Sequence, residues 1–300
     1  MMTANKELEQ AYSYCRQLSK SHYENFPVAS LLLPKQLRNP ISVIYAFART
    51  ADDFADEGST SPDVRLQQLG QYSGALRQIE NNGYQGHSPI FIALQDVITR
   101  YQLPINLFDD LLTAFKQDVV KSRYANFQEV LDYCRYSANP VGRLLLLLNG
   151  RPSQQQLQQS DAICTALQLI NFYQDIVQDY CEQDRVYIPQ NELAKAGLAE
   201  TDLIQADTQK IAPLLRSLYL RAAQLMHQGY QLGASLNGRL GWEVRAMTLG
   251  GITTLALIQR QDDARLLTRP RLSRLQLIQV MVSSASQAYY LKQCQRALVR

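Results

Sequence analysis

Apolar residues recur at three- and four-residue spacing along almost the whole chain, and no stretch shows the strict apolar/polar alternation of a half-buried strand. The pattern predicts an all-α, single-domain bundle over residues 1–300, built from roughly eight to ten helices. Helices are expected near 5–20, 40–57, 63–80, 88–100, 104–118, 126–149, 160–181, 208–235, 239–262 and 273–298. Two of them have marked limits. Asn39 before Pro40 reads as an N-cap and first helical residue, with Gly58 as the stop, and Ser160 reads as the cap of the other. The latter runs through Ile163, Leu167 and Ile170 to the polar Glu182-Gln183-Asp184 turn.

These two helices carry the chemistry. In the first, Tyr45, Arg49, Asp52 and Asp56 are spaced 4, 3 and 4 residues apart and fall on one stripe, with Asp53 beside it. Val43, Ile44, Phe47, Ala51, Phe54 and Ala55 surround the stripe, so the helix is expected to be largely buried. In the second, Gln168, Asn171, Asp175 and Asp179 are spaced 3, 4 and 4 apart among Leu169, Ile170, Phe172 and Ile176. A single acidic pair on a helix is usually a solvated face or half of a salt bridge. Two such stripes in apolar segments are harder to explain that way, because unpaired buried charge is costly.

Two helices facing each other with these residues would offer four or five hard oxygen ligands around a shared space. Calcium accepts such ligands, but magnesium binds through a few carboxylates while substrate phosphates supply the remainder, which points to a diphosphate. Arg49 lies on the first stripe, where it serves either as a phosphate donor or as an intrahelical partner of Asp52 or Asp53. The segment Asp184-Arg185-Val186-Tyr187-Ile188-Pro189 follows the second stripe closely enough to fold back over it. Arg185 and Tyr187 there either donate to phosphate oxygens or close a loop, and Tyr45 either faces substrate or packs in the core.

Composition narrows the classes. The net charge of +3, left from 30 basic and 27 acidic residues, does not require a nucleic-acid partner. The five cysteines show no zinc or C-x-x-C spacing, and their odd number argues against a closed disulfide set and for a reducing cytoplasm. Neither a secretory signal nor an apolar run long enough to span a bilayer is present. From 260 to 274, Arg260, Arg265, Arg269, Arg271 and Arg274 are interleaved with leucines. This arrangement suits either peripheral contact with anionic headgroups on the inner face of a membrane or a solvated helix junction.

With these motifs in view, the sequence resembles the squalene and phytoene synthases, the head-to-head trans-isoprenyl diphosphate synthases. The likeness runs from Leu32-Leu33-Pro34 through Tyr45, Arg49, Asp52-Asp53 and Asp56 to Tyr133-Cys134 with Val141-Gly142. It continues over Gln168, Asn171, Asp175, Asp179 and Arg185-Val186-Tyr187-Ile188-Pro189, with the loop before Arg185 one residue longer than in the family. The resemblance implies an isoprenoid-synthase bundle with a central apolar cavity. It also implies magnesium held by Asp52, Asp53, Asp56, Asn171, Asp175 and Asp179, and diphosphate contacts from Arg49, Gln168, Arg185 and Tyr187. Tyr45 joins the catalytic set with Arg49 and the aspartates.

Three departures point to one branch. Tyr23 and Asn25 stand where serines commonly bind diphosphate, within Glu24-Asn25-Phe26-Pro27-Val28; Ser137-Ala138-Asn139-Pro140 replaces the usual Val-Ala-Gly; and Gln174 replaces an arginine. The combination resembles the bacterial hopanoid-pathway hydroxysqualene synthases, which convert presqualene diphosphate to hydroxysqualene. Phe26, Ala138, Asn139, Pro140 and Val141 are then expected to line the cavity. Pro140 inside a helix removes a backbone bond to the carbonyl of Tyr136 and is expected to kink the helix there. The competing readings are condensation of two farnesyl or geranylgeranyl diphosphates to presqualene diphosphate, squalene or phytoene, and a non-catalytic lipid-binding or assembly protein of the same fold. No G-x-G-x-x-G signature accompanies a strand, which weighs against a reductive synthase. The pathway reading implies functional partnership with other enzymes of squalene and hopanoid biosynthesis.

Overall fold

The helical periodicity is realised as fifteen α-helices among the described residues of the computed structural model, with one isolated parallel bridge between Arg123 and Val186. The structure describes residues 2–21, 34–56, 58, 60–81, 83–204 and 208–298. In chain order the helices are α1 (Met2–Ser21), α2 (Lys35–Asp56), α3 (Pro62–Asn81), α4 (Pro89–Tyr101) and α5 (Asn106–Val120). Then follow α6 (Phe127–Ser137), α7 (Asn139–Asn149), α8 (Gln154–Gln174), α9 (Ile176–Gln183) and α10 (Gln190–Lys195). The last are α11 (Ala212–Gly229), α12 (Leu232–Ser235), α13 (Gly238–Arg260), α14 (Arg274–Ala285) and α15 (Gln287–Leu298).

Each expected helix is present, and four of the long ones are interrupted. The breaks fall at Ala138, at Asp175, between α11 and α12, and at Ser286. The first was foreseen from Pro140, which sits at the second residue of α7, where a missing N–H leaves no intrahelical bond unmade. Two expected caps need correction. α2 starts at Lys35, and Pro40 lies inside it, buried, rather than at its first turn after an Asn39 cap. A proline there deprives the carbonyl of Gln36 of its helical donor, and the Tyr101 hydroxyl donates to that oxygen at 3.4 Å. α8 is capped by Ser153, whose side chain accepts from the Gln156 N–H in a capping box, and Ser160 is a buried residue inside the helix.

Contacts group the chain into two units, Met1–Val120 with Pro140–Pro152, and Lys121–Asn139 with Ser153–Arg300. In the first, α2 lays Val43, Ala46, Phe47 and Ala51 into the core. The Phe47 ring is enclosed by Tyr72, Phe91 and Phe108 at 5.5, 6.0 and 5.4 Å between centroids, so α3, α4 and α5 fix the rotation of α2. That rotation decides where its acidic stripe points.

In the second unit the rear of α8 packs on α11 and α13 through glycines. A Cβ on Gly229 would come within 2.6 Å of the Gln159 carbonyl, and one on Gly251 within 2.8 Å of Leu167 and Met226. α13 also buries two charged residues apart from each other. The Arg245 guanidinium donates to the carbonyls of Gly233, Leu236 and Ser284, clamping α12 and α14 onto α13. Glu243 is 2% exposed and its Oε2 has no hydrogen-bond partner among the described residues, and burial pushes its carboxyl up to about 8. No helix among the described residues is long and apolar enough to cross a membrane.

Candidate functional site

The first acidic stripe lies on the last three turns of α2. Its helix ends in the Arg65 guanidinium, which donates to the carbonyls of Ala55 and Gly58 and so neutralises the C-terminal end next to Asp56. Tyr45, Arg49, Asp52 and Asp53 are half-buried and Asp56 is exposed, while the apolar face opposite is sealed. This corrects the expectation of a largely buried helix: Phe54, Ala48 and Thr50 are only partly covered, so the carboxylates keep access to solvent.

Charge on this stripe is balanced locally. An Arg49 guanidinium nitrogen lies 2.6 Å from Asp53 Oδ1 and another 3.5 Å from Asp52 Oδ2. Of the two roles open to Arg49, the intrahelical pair is the one the structure shows. Asp53, beside the stripe, is its nearer partner.

The second stripe spans a bend. α8 ends at Gln174, Asp175 has φ −104° and ψ 12°, and α9 resumes at Ile176. Hydrogen bonds nevertheless run through the bend, from the Asp175 N–H to the Asn171 carbonyl at 2.9 Å and from the Asp179 N–H to the Asp175 carbonyl at 2.8 Å. The register of Asn171, Asp175 and Asp179 is therefore kept. Gln168, Asp175 and Asp179 are half-buried and Asn171 is exposed.

Asp175 has a partner that sequence spacing did not reveal. Arg269, 94 residues away, donates to both carboxylate oxygens at 2.8 and 3.1 Å. Burial raises the Asp175 pKa, and Arg269 only partly offsets the rise. Arg269 had been read as one of a run of surface arginines, and no local pattern marks it as the one that reaches Asp175.

The chain folds back after α9 as expected. Asp184 adopts φ 48°, and the Arg185 N–H closes on the Asp179 carbonyl at 3.0 Å in a Schellman-type turn. The strand-like run that follows is tied to 122–125 by bonds from the Val186 N–H to the Ser122 carbonyl and from the Gln190 N–H to the Tyr124 carbonyl. Arg185 is buried and donates to Gln183 at 2.9 Å and towards the Tyr187 hydroxyl at 3.4 Å. The Tyr187 ring stacks on Phe172 at 3.5 Å between centroids and meets Tyr124 and Tyr133. This aromatic layer fixes Tyr187, with Arg185 two residues before it, beside Phe172 of α8 in the same unit as the second stripe.

Among the described residues, no three His, Cys, Asp or Glu side chains converge as a ready metal cage. The donor set still suits magnesium. Each stripe supplies hard oxygens one helical turn apart, and magnesium needs few protein ligands when phosphate and water complete its shell. Of the remaining expected positions, Ala138 is buried, Asn139 accepts from the Thr165 hydroxyl at 3.0 Å, Pro140 is buried and Val141 is exposed. Asn139 borders a groove of about 330 Å³ with Gln158, Asp161, Thr165 and Gln228. That groove is open, and Leu131, Ala162 and Leu225 complete its lining; Asp161 stands about 20 Å along α8 from Asp175 by helical rise, so the groove does not border the carboxylates. Tyr23, Asn25 and Phe26 lie outside the described residues.

A family model described as squalene/phytoene synthase matches residues 19–276. A hydroxysqualene synthase from Rhodopseudomonas palustris is 37% identical over 241 residues, 80% of each chain, and a phytoene synthase from Mycobacterium tuberculosis is 29% identical over 282 residues, 93% of this chain and 91% of its own. The solved squalene synthase HpnC from Alicyclobacillus acidocaldarius superposes with a TM-score of 0.78 at 36% identity, covering 85% of this chain and 95% of its own. The all-α architecture is accordingly that of the isoprenoid synthases, and the chain belongs to the squalene/phytoene synthase family.

Proposed function

We infer that this protein is a hydroxysqualene synthase acting on presqualene diphosphate, and that its two units together form one catalytic domain. The reading is carried by the two acidic stripes, each with paired aspartates one turn apart and an arginine on the carboxylates. It is supported by the similarity to hydroxysqualene synthases and by the helix break at Ser137-Ala138-Asn139-Pro140.

Asp52, Asp53, Asp56, Asn171, Asp175 and Asp179 would hold magnesium, which when bound supplies positive charge to the leaving diphosphate. Arg49, Gln168, Arg185 and Tyr187, with Tyr23 and Asn25, orient the phosphate oxygens, and Arg49 exchanges its carboxylate partners for phosphate as substrate enters. The carbon–oxygen bond breaks with its electron pair on the diphosphate. The carbocation rearranges between apolar and aromatic walls that include Tyr45, Phe26, Ala138, Asn139, Pro140 and Val141, and water adds with loss of a proton to give hydroxysqualene.

The test is product analysis by mass spectrometry after incubation with magnesium and no nicotinamide, separately with presqualene diphosphate and farnesyl diphosphate. Hydroxysqualene from presqualene diphosphate alone is the expected result. Presqualene diphosphate or phytoene from shorter prenyl diphosphates would replace this reading with the condensing one, and binding without turnover would favour a non-catalytic role.

A further inference from the structure

α14 is built inside out. Leu275, Ile278 and Val282 recur at i, i+3 and i+7, one stripe of the helix, and are 79, 59 and 65% exposed. The side facing the protein carries Val280 and two serines, Ser283 and Ser284. Its attachment is polar: the Ser284 hydroxyl accepts from the Trp242 ring N–H at 2.8 Å, and the Ser284 carbonyl accepts from Arg245. A surface helix of a globular protein normally puts its larger apolar side chains inward and its polar ones outward. The capping box between Ser273 and Gln276 starts the helix independently of any partner, so the stripe is displayed on a formed helix.

Charge around the stripe is equally one-sided. From residue 264 to residue 300 the sequence has seven basic residues and no aspartate or glutamate, although the whole chain is only +3, so the rest is net acidic. Arg271 and Arg274 flank the start of α14, are exposed, and have no ion-pair partner among the described residues. Cations at a helix N-terminus oppose its dipole, so helix stability does not account for them.

We propose that the outer face of α14, with Arg271 and Arg274, docks on an anionic lipid bilayer, the leucine, isoleucine and valine side chains entering the headgroup boundary while the arginines meet lipid phosphates. Combined apolar burial and cation attraction is what holds a non-spanning helix on a membrane, and a basic segment without carboxylates fits an anionic surface better than the same, equally basic face of a second copy. The proposal does not depend on which prenyl diphosphate the protein uses, since docking is read without substrate.

The test is co-sedimentation of the full chain with vesicles of phosphatidylcholine alone and of phosphatidylcholine with phosphatidylglycerol. Binding to the anionic vesicles, weakened by salt, is expected. The variant Leu275→Gln/Ile278→Gln/Val282→Gln should lower partitioning by about tenfold or more, and Arg271→Gln/Arg274→Gln by roughly tenfold at low salt. All five side chains lie outside the core, so unchanged melting curves serve as the folding control, and the salt and lipid dependence of the wild type stands apart from either variant. Absence of binding to anionic vesicles, or equal binding by the apolar variant, would overturn the proposal. So would a wild-type dimer that the apolar variant converts to monomer without any vesicle binding, which would assign the face to a second copy.

Discussion

The two acidic stripes solve one problem by different means. On α2 a cation comes from the same helix: Arg49 sits three and four residues before Asp52 and Asp53 and pairs with both within about a turn. At the bend between α8 and α9 it comes from 94 residues away, where Arg269 takes both oxygens of Asp175. A carboxylate proposed to bind metal needs a counter-charge that can leave. A solvent-accessible arginine supplies one in each case, at 21% exposure for Arg49 and 53% for Arg269. The local pair can re-form without any rearrangement of the fold, whereas the distant pair also fixes the segment after α13.

The largest effect is expected when the carboxylates themselves are removed. Asp52→Asn and Asp175→Asn should each lower diphosphate release from presqualene diphosphate by on the order of 10³-fold with little change in folding, read by a phosphate-coupled assay. If only one of them did so, the two stripes would not be equivalent members of one reaction.

A third carboxylate sharpens the contrast, because no cation pairs with it among the described residues. The folded pKa of Glu243 is raised to about 8, so the folded state holds a proton that the unfolded chain loses above its ordinary value of 4.5. Its favourable contribution is complete below 4.5 and is lost as pH rises through about 8. Glu243→Gln should therefore be more stable than wild type by roughly 4 kcal/mol at pH 8, with the gap closing towards pH 4.5, as measured by urea titration. A gap independent of pH would mean that Glu243 stays ionised in the fold.

The smallest effect separates the two arginines. Arg269→Gln should cost about 0.5 kcal/mol at neutral pH, since the pair is half-exposed and screened. The loss should vanish once acid protonates Asp175, whose pKa lies above the ordinary aspartate value. Arg49→Gln removes a local i,i+3/i,i+4 pair and should cost a similar amount, measured by thermal melting at pH 7 and pH 4.

These differences mark what the amino-acid sequence could and could not disclose. The stripes were legible because a spacing of three and four residues is a local property of a helix, and so was the break before Pro140, because proline lacks a donor. The start of α2 was misread because Pro40 stands inside the helix, where the Tyr101 hydroxyl reaches the Gln36 carbonyl that lacks its helical donor, a contact 65 residues distant. Ser153 was legible and overlooked: Ser-x-x-Gln ahead of an apolar run is the capping-box signature. Arg269 had no readable signal, since a run of exposed arginines does not say which one turns inward. The outward stripe on α14 was hidden for a related reason, because apolar spacing shows that a face exists without showing what covers it.

The most direct test of the central claim is to run the reaction of presqualene diphosphate in oxygen-18 water and weigh the alcohol formed. Hydroxysqualene heavier by about two mass units, made only when magnesium is present, is the result that ionisation and capture by water predicts. Unlabelled hydroxysqualene, or equal turnover in the presence of a chelator, would contradict it.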